Sequence, residues 1–229
     1  QARTCLPPGM LLIRGVELSL KDMRGLHLLA YGFEDAPLIQ EKLEQLAAAR
    51  MRRAERMLQK LAALGISLDA EALYQGVSGT IGRLHIAEAM IQQGSVRSVS
   101  EAFSRYIGED GPAYVSAERL SMAEALTLVR SAGYIPVLAH PRELNLPDYQ
   151  LRSLLEKWKE LGLMGLEVYH PSALRQGFDG LLRLARELSL MVTGGSDFHG
   201  QGDHHGEPGC MAAWWKTMEE DVQKLLSFR

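Results

Sequence analysis

The chain has 229 residues, 46% of them hydrophobic and 23% charged, with a formal net charge of -3. That is enough for one large domain, or a domain with a sizeable insertion, and it excludes a disordered chain or a small disulfide-stapled fold. The slightly acidic balance offers no general attraction to duplex DNA or anionic membranes, and no uninterrupted apolar stretch is long enough to span a bilayer. Cys5 and Cys210 match no zinc spacing and fit a reducing, cytoplasmic setting. Gln1 is not an initiator methionine and no secretory signal follows it, so the expectation is a processed chain or one preceded by further sequence.

In chain order, the apolar runs at Met10–Leu18 and Leu26–Tyr31 read as strands separated by polar turn residues. After Pro37, Leu43, Leu46, Met51, Ala54, Met57 and Leu61 recur at helical spacing until Gly65. Shorter helices are expected over Asp69–Leu73, Ile81–Gln92 and Ser98–Tyr106, which makes residues 37–110 all-helical. From Met122 the rhythm changes. A helix to Ser131 is followed by a strand Ile135–Ala139, a helix Tyr149–Leu161, a strand Gly165–Tyr169, a helix Leu174–Leu188, a strand Leu190–Thr193 and a last helix Thr217–Leu226. Such βα alternation implies a parallel sheet or barrel whose chemistry sits at the strand C-termini. The expected organisation is therefore residues 1–36 and 111–229 as one α/β domain, with residues 37–110 inserted.

The ionisable residues fall at those strand ends. Glu17 lies near the end of the first strand, His140 follows Ala139, Glu167 is inside an apolar strand, and Asp197 and His199 follow the last strand after Gly194 and Gly195. His27, within the second strand, joins them if it points inward. Carboxylate oxygens and neutral imidazole nitrogens converging on one rim are what a divalent cation needs. Each residue alone has a duller explanation: His27 as a core histidine, His140 as a helix cap, Asp197 as a turn cap. Their coincidence within one alternating unit is what favours a site.

The strings GVE, then a histidine ten residues on in LHLLAYG, AHP at 139–141 and GSDFH at 195–199 together resemble the polymerase and histidinol phosphatase (PHP) superfamily of metal-dependent phosphoesterases. Within it the chain is most similar to the branch of 3',5'-nucleoside bisphosphate phosphatases and 5'-to-3' exoribonucleases, which also carries a helical insertion. The resemblance implies a distorted TIM-like (β/α)7 barrel, here without its first strand or strands. It implies two or three cations, manganese or else iron or zinc, on Glu17, His27, His140, Asp197 and His199, with His140, Asp197 and His199 central to catalysis. The implied reaction is hydrolysis of a small nucleotide or an RNA 5' end by a metal-activated water. Arg83 and His85, opening a helix of the insertion, and Arg142 are the phosphate-binding candidates. The family's HxH motif is absent upstream of Glu17: residues 1–12 contain no histidine or aspartate. A non-catalytic module, or a phosphatase for another phosphomonoester such as histidinol phosphate, is the alternative. The Arg50, Arg52, Arg53 and Arg56 run reads as a solvated helix face rather than an RNA track, and His204 and His205 as a polar loop.

Overall fold

The computed structural model describes residues 12–32, 35–75, 81–198 and 207–227. The chain divides into two compact units, one of Gln1–Ile39 with Leu120–Arg229 and one of Gln40–Arg119. The first unit is built on a five-stranded sheet in the order β1 (Arg14–Ser19), β2 (His27–Gly32), β3 (Ile135–Leu138), β4 (Gly165–Tyr169) and β5 (Met191–Gly194). The last three strands are parallel, as their helical crossovers require, but β1, β2 and β3 pair antiparallel. The reason for this departure from a parallel sheet is the connection between β1 and β2. It is a tight turn closed by Leu20 N–H donating to the Leu26 carbonyl at 2.9 Å, with Gly25 at φ 74°, and such a turn can join only antiparallel strands. The first strand also starts later than its apolar run suggested, at Arg14 rather than Met10.

Along β2, His27, Leu29 and Tyr31 share one face while Leu28, Ala30 and Gly32 are buried on the other. Gly32 is required on the buried side, because a Cβ there would lie 2.2 Å from the Tyr134 ring. In β3 and β4 every residue is buried, including the charged Glu167. Ile135, Val137, Met191 and Leu225 form a core on the Leu29 and Tyr31 face. Helices α5 (Met122–Ser131), α6 (Asp148–Glu160), α7 (Asp179–Glu187) and α8 (Trp215–Leu226) complete the unit, the first three burying Leu126 and Val129, Leu151 and Leu155, and Leu181 and Leu184 respectively. At the start of α5, Ser121 Oγ accepts from the Glu124 N–H and Glu124 accepts from the Ser121 N–H, a reciprocal capping box. Asp22, from the β1–β2 turn, accepts from the Met122 N–H at 2.7 Å, so this turn and helix are tied together. On α8 the buried Asp221 is paired with Arg186 of α7 at 2.5 Å and with Lys224 at 3.5 Å. The predicted helix from Leu174 begins only at Asp179, because a short turn over Pro171–Ala173 and Gly177 at φ 76° precede it.

The second unit is helical. Helix α1 (Pro37–Ala63) supplies Ala54, Met57 and Leu61 to a core shared with Ile86, Ala87 and Met90 of α3 (Arg83–Gln92), and α2 (Ala70–Gln75) adds Leu73. Helix α4 (Val99–Ala102) runs into a π-helical turn, Phe103–Ile107, where a continuous helix was expected. Arg53 and Lys60 donate to the Val115 and Tyr114 carbonyls at 2.7 and 2.8 Å, closing the returning chain onto α1. Among the described residues, no helix is long and apolar enough to cross a membrane.

Candidate metal centre

The site begins with strand register. Glu17 pairs with Leu29 and Ser19 with His27, so Glu17 and His27 are diagonal neighbours on one face of the hairpin. His140 reaches them from the end of β3. Glu17 Oε1 lies 2.6 Å from His27 Nδ1 and 3.2 Å from His140 Nε2, and the two ring nitrogens are 3.0 Å apart. One anionic oxygen and two imidazole nitrogens thus meet at a point. A cation about 2.1 Å from each ligand would hold neighbouring ligand atoms about 3.0–3.4 Å apart, so the set fits a divalent ion with little adjustment.

A second group lies beside it. One ligand atom each from Glu143, His170 and Asp197 fall within 4.8 Å of one another, with His170 Nε2 at 3.7 Å from Asp197 Oδ2. His140 links the groups, because its Nδ1 is 3.3 Å from Glu143 Oε2 and its ring lies 5.4 Å from that of His170. Glu143 thus places a carboxylate behind His140, within ion-pair distance of Nδ1 but without a hydrogen bond to it. His170 Nδ1 accepts the Ser172 N–H at 3.1 Å, so in the neutral ring the proton sits on Nε2 and His170 turns an N–H, not a lone pair, toward Asp197.

Local sequence explains how these side chains are presented. His140 and His170 each precede a proline that opens a short turn after a parallel strand, and a residue before proline is kept out of the right-handed helical region. His140 at φ 25° and Asp197 at φ 53° occupy left-handed backbone that few side-chain-bearing residues adopt. The Gly194–Gly195 pair lets the chain leave β5 close to its neighbours: a Cβ at 194 would lie 2.7 Å from Tyr169 Cβ, and one at 195 would lie 3.0 Å from Glu167 Oε1.

The electrostatics follow the same geometry. Hydrogen bonding to His140 and His27 holds the Glu17 carboxyl well below the usual range, against the opposing effect of burial. Burial disfavours the charged form of His140, but the Glu17 hydrogen bond and the charges of Glu143, Glu17 and Glu167 outweigh it and move its pKa upward. Burial pushes the Glu167 carboxyl up to about 7, although it accepts the His140 N–H at 2.8 Å.

Of the expected site residues, the structure brings Glu17, His27 and His140 into one cluster and sets Asp197 in the adjacent one. His199, like His204 and His205, lies outside the described residues. Arg142 is engaged by Asp148 at 2.5 Å and packs beside Gly180. In the helical unit, His85 Nδ1 accepts the Gly82 N–H at 3.0 Å and so caps α3, while the Arg83 guanidinium lies over the rings of Phe103 and Tyr114 at 5.1 and 5.7 Å. Sequence reading missed Glu143. Its signal was the spacing of three residues from His140, which a single helical turn after a His-Pro pair converts into proximity.

No family profile matches the chain. Whole-chain comparisons do. The chain is 32% identical over 193 residues to a 5'-3' exoribonuclease of Haemophilus influenzae, an alignment spanning 83% of this chain and 70% of that protein. The chain belongs to the PHP superfamily of metal-dependent phosphoesterases. It is also 27% identical over 199 residues to a 3',5'-nucleoside bisphosphate phosphatase of Chromobacterium violaceum, covering 85% of this chain and 70% of that one. A solved structure from Bifidobacterium adolescentis, assigned as a metal-dependent phosphoesterase, superposes with a TM-score of 0.72 at 28% identity, covering 96% of this chain and 77% of the other. The mixed α/β fold built on a five-stranded sheet is thus that of its PHP relatives.

Proposed function

We propose that this PHP protein hydrolyses phosphate esters of nucleotides, either a 3',5'-nucleoside bisphosphate or the 5' end of an RNA. The observation that carries the reading is the convergence of Glu17, His27 and His140 within 3.2 Å at the rim of the sheet, in a chain related to an exoribonuclease and a bisphosphate phosphatase. Glu17, His27, His140, Asp197 and His199 are the proposed ligands, and manganese the proposed metal, with iron and zinc as its competitors. A divalent cation in such a site polarises the phosphoryl oxygen, orients the ester and lowers the pKa of a bound water.

The protein's own groups prepare that site. Glu17 stays ionised far into acid and supplies the anionic ligand. His140, whose pKa is raised, must shed its proton before Nε2 can bind, so metal uptake releases a proton and strengthens as pH rises. His170 presents its Nε2–H beside Asp197, a donor suited to a phosphate oxygen. Arg83, His85 and Arg142 are the proposed phosphate-binding residues, and each is already engaged within the protein, by Phe103 and Tyr114, by Gly82 and by Asp148 respectively. The finer fold reading, a TIM-like (β/α)7 barrel with residues 37–110 as an insertion, belongs to the same proposal, as does a cytoplasmic setting.

The test is elemental analysis of the protein purified with manganese, followed by phosphate release from a 3',5'-nucleoside bisphosphate and from 5'-phosphorylated RNA. Two or more ions per chain and manganese-dependent release, lost in Asp197→Ala, are expected. Metal-independent release, or bound metal without turnover on either substrate, would overturn the proposal.

A further inference from the structure

Glu167 belongs to neither ligand group, yet it touches both of the loops that carry them. It is 6% exposed, on a central strand where its neighbours are apolar. One carboxyl oxygen, Oε2, accepts the His140 N–H at 2.8 Å. The other, Oε1, lies 3.0 Å from where a Cβ on Gly195 would stand, directly under the turn that leads to Asp197. The register pairs Glu167 with Thr193, and the pairing shifts between Glu167 and Tyr169, just before the strand end.

Among the described site residues, His140 and Asp197 have left-handed backbone, at φ 25° and 53°. A non-glycine residue keeps such a conformation only when its surroundings over-determine it. At His140 the sheet no longer supplies a partner for the backbone N–H, and the residue is buried; an orphaned N–H there would itself favour another turn. A carboxyl oxygen rising from the adjacent strand supplies that acceptor. A glutamate costs much to bury, and an apolar residue would fill the same space without that cost, so its place inside β4 calls for a reason of this kind.

We infer that Glu167 is the positioning residue of the metal centre: it pins the His140 backbone from beneath and abuts Gly195, and so sets the spacing between the His140 and Asp197 loops. This deepens the metal-centre reading and rests on it for the effect on metal, but not for the effect on His140 itself. Glu167 does not touch the ion in this assignment; it acts through His140.

The experiment compares Glu167→Gln, Glu167→Leu and Gly195→Ala in the full chain, with two readouts. The first is hydrogen exchange of the His140 amide in chelator-treated protein, which needs no metal. The second is manganese affinity by calorimetry. Glu167→Gln retains an oxygen acceptor and should keep His140 amide protection and manganese affinity within about threefold of the parent. Glu167→Leu should lose the protection and weaken manganese about 10–100-fold, the usual scale for residues that orient a ligand. If Glu167→Leu does not fold, Gly195→Ala carries the test: it crowds Oε1 without touching His140, and should lower both readouts in the same direction. Parent-like amide protection in Glu167→Leu or Gly195→Ala would overturn the inference. So would a Glu167→Gln variant that binds manganese as poorly as Glu167→Leu while keeping protection, since Glu167 would then act by its charge on the ion. Should the parent bind no manganese, the metal-centre proposal fails, and the amide readout still decides the role of Glu167.

Discussion

The two units bury their polar residues differently. In the sheet unit, His140, Glu167, His170, Thr193 and Asp221 are all buried, and two site residues sit in sterically disfavoured backbone. Among the described residues of the helical unit, every buried side chain belongs to an apolar or small residue. There long basic side chains stay out of the core and donate to backbone carbonyls, the half-buried Arg53 to Val115 and the exposed Lys60 to Tyr114. Burying a polar or charged group without full compensation lowers stability, so its concentration in one unit marks where the fold has been shaped by something other than stability. The candidate metal ligands and the buried polar residues lie in the sheet unit, and the described core of the helical unit is apolar throughout.

The largest expected effect tests that division from the helical side. Leu61 is fully buried on α1, and Leu61→Ala should cost about 3 kcal/mol in denaturant unfolding, as large-to-small core changes do. Its manganese affinity should remain that of the parent; a parallel loss of metal would erase the contrast between the units. From the other side, Glu17→Ala should weaken manganese by about 100-fold or more in calorimetry, removing the anionic ligand, which is roughly 2.7 kcal/mol. The smaller effects sharpen the comparison within the sheet unit, away from the site. Ser121→Ala removes the N-cap of α5 and should cost about 1 kcal/mol by thermal unfolding with metal binding intact. Glu124, in the same capping box, is held down to about 2 by the Ser121 N–H and hydroxyl and by Lys21, from an ordinary 4.5. Its folded pKa is depressed, so its contribution is present above pH 4.5 and fades as pH falls toward 2. Glu124→Gln should therefore flatten the acid side of the stability curve in that window, and an unchanged acid limb would show the box to be incidental.

Much of this arrangement was legible in the residues. The βα rhythm after Met122 places β3, β4 and β5 almost where they occur, because buried parallel strands leave short, mainly apolar runs. Glu17, His27 and His140 stood out because ionisable residues at the ends of such runs are costly without a purpose. What could not be read was relational. The antiparallel direction of β1 and β2 depends on the hydrogen bond that closes the Leu20–Leu26 turn, which composition does not specify. The division into two ligand groups depends on where His140 points both of its nitrogens. The partners of Arg83, His85 and Arg142 are Phe103 and Tyr114, Gly82, and Asp148, contacts that a lone arginine or histidine does not announce.

The left-handed backbone at His140 and Asp197 also bears on how variants of this protein should be chosen. Glycine adopts that conformation without steric cost, so replacing either residue with glycine relieves local strain as it removes a proposed ligand. A screen that ranks variants by heat resistance alone would be drawn to those two positions and would enrich proteins that fold well and do nothing. Directed evolution for a hardier catalyst should hold residues 140 and 197 fixed and seek its gains in the capping boxes and in the core of the helical unit.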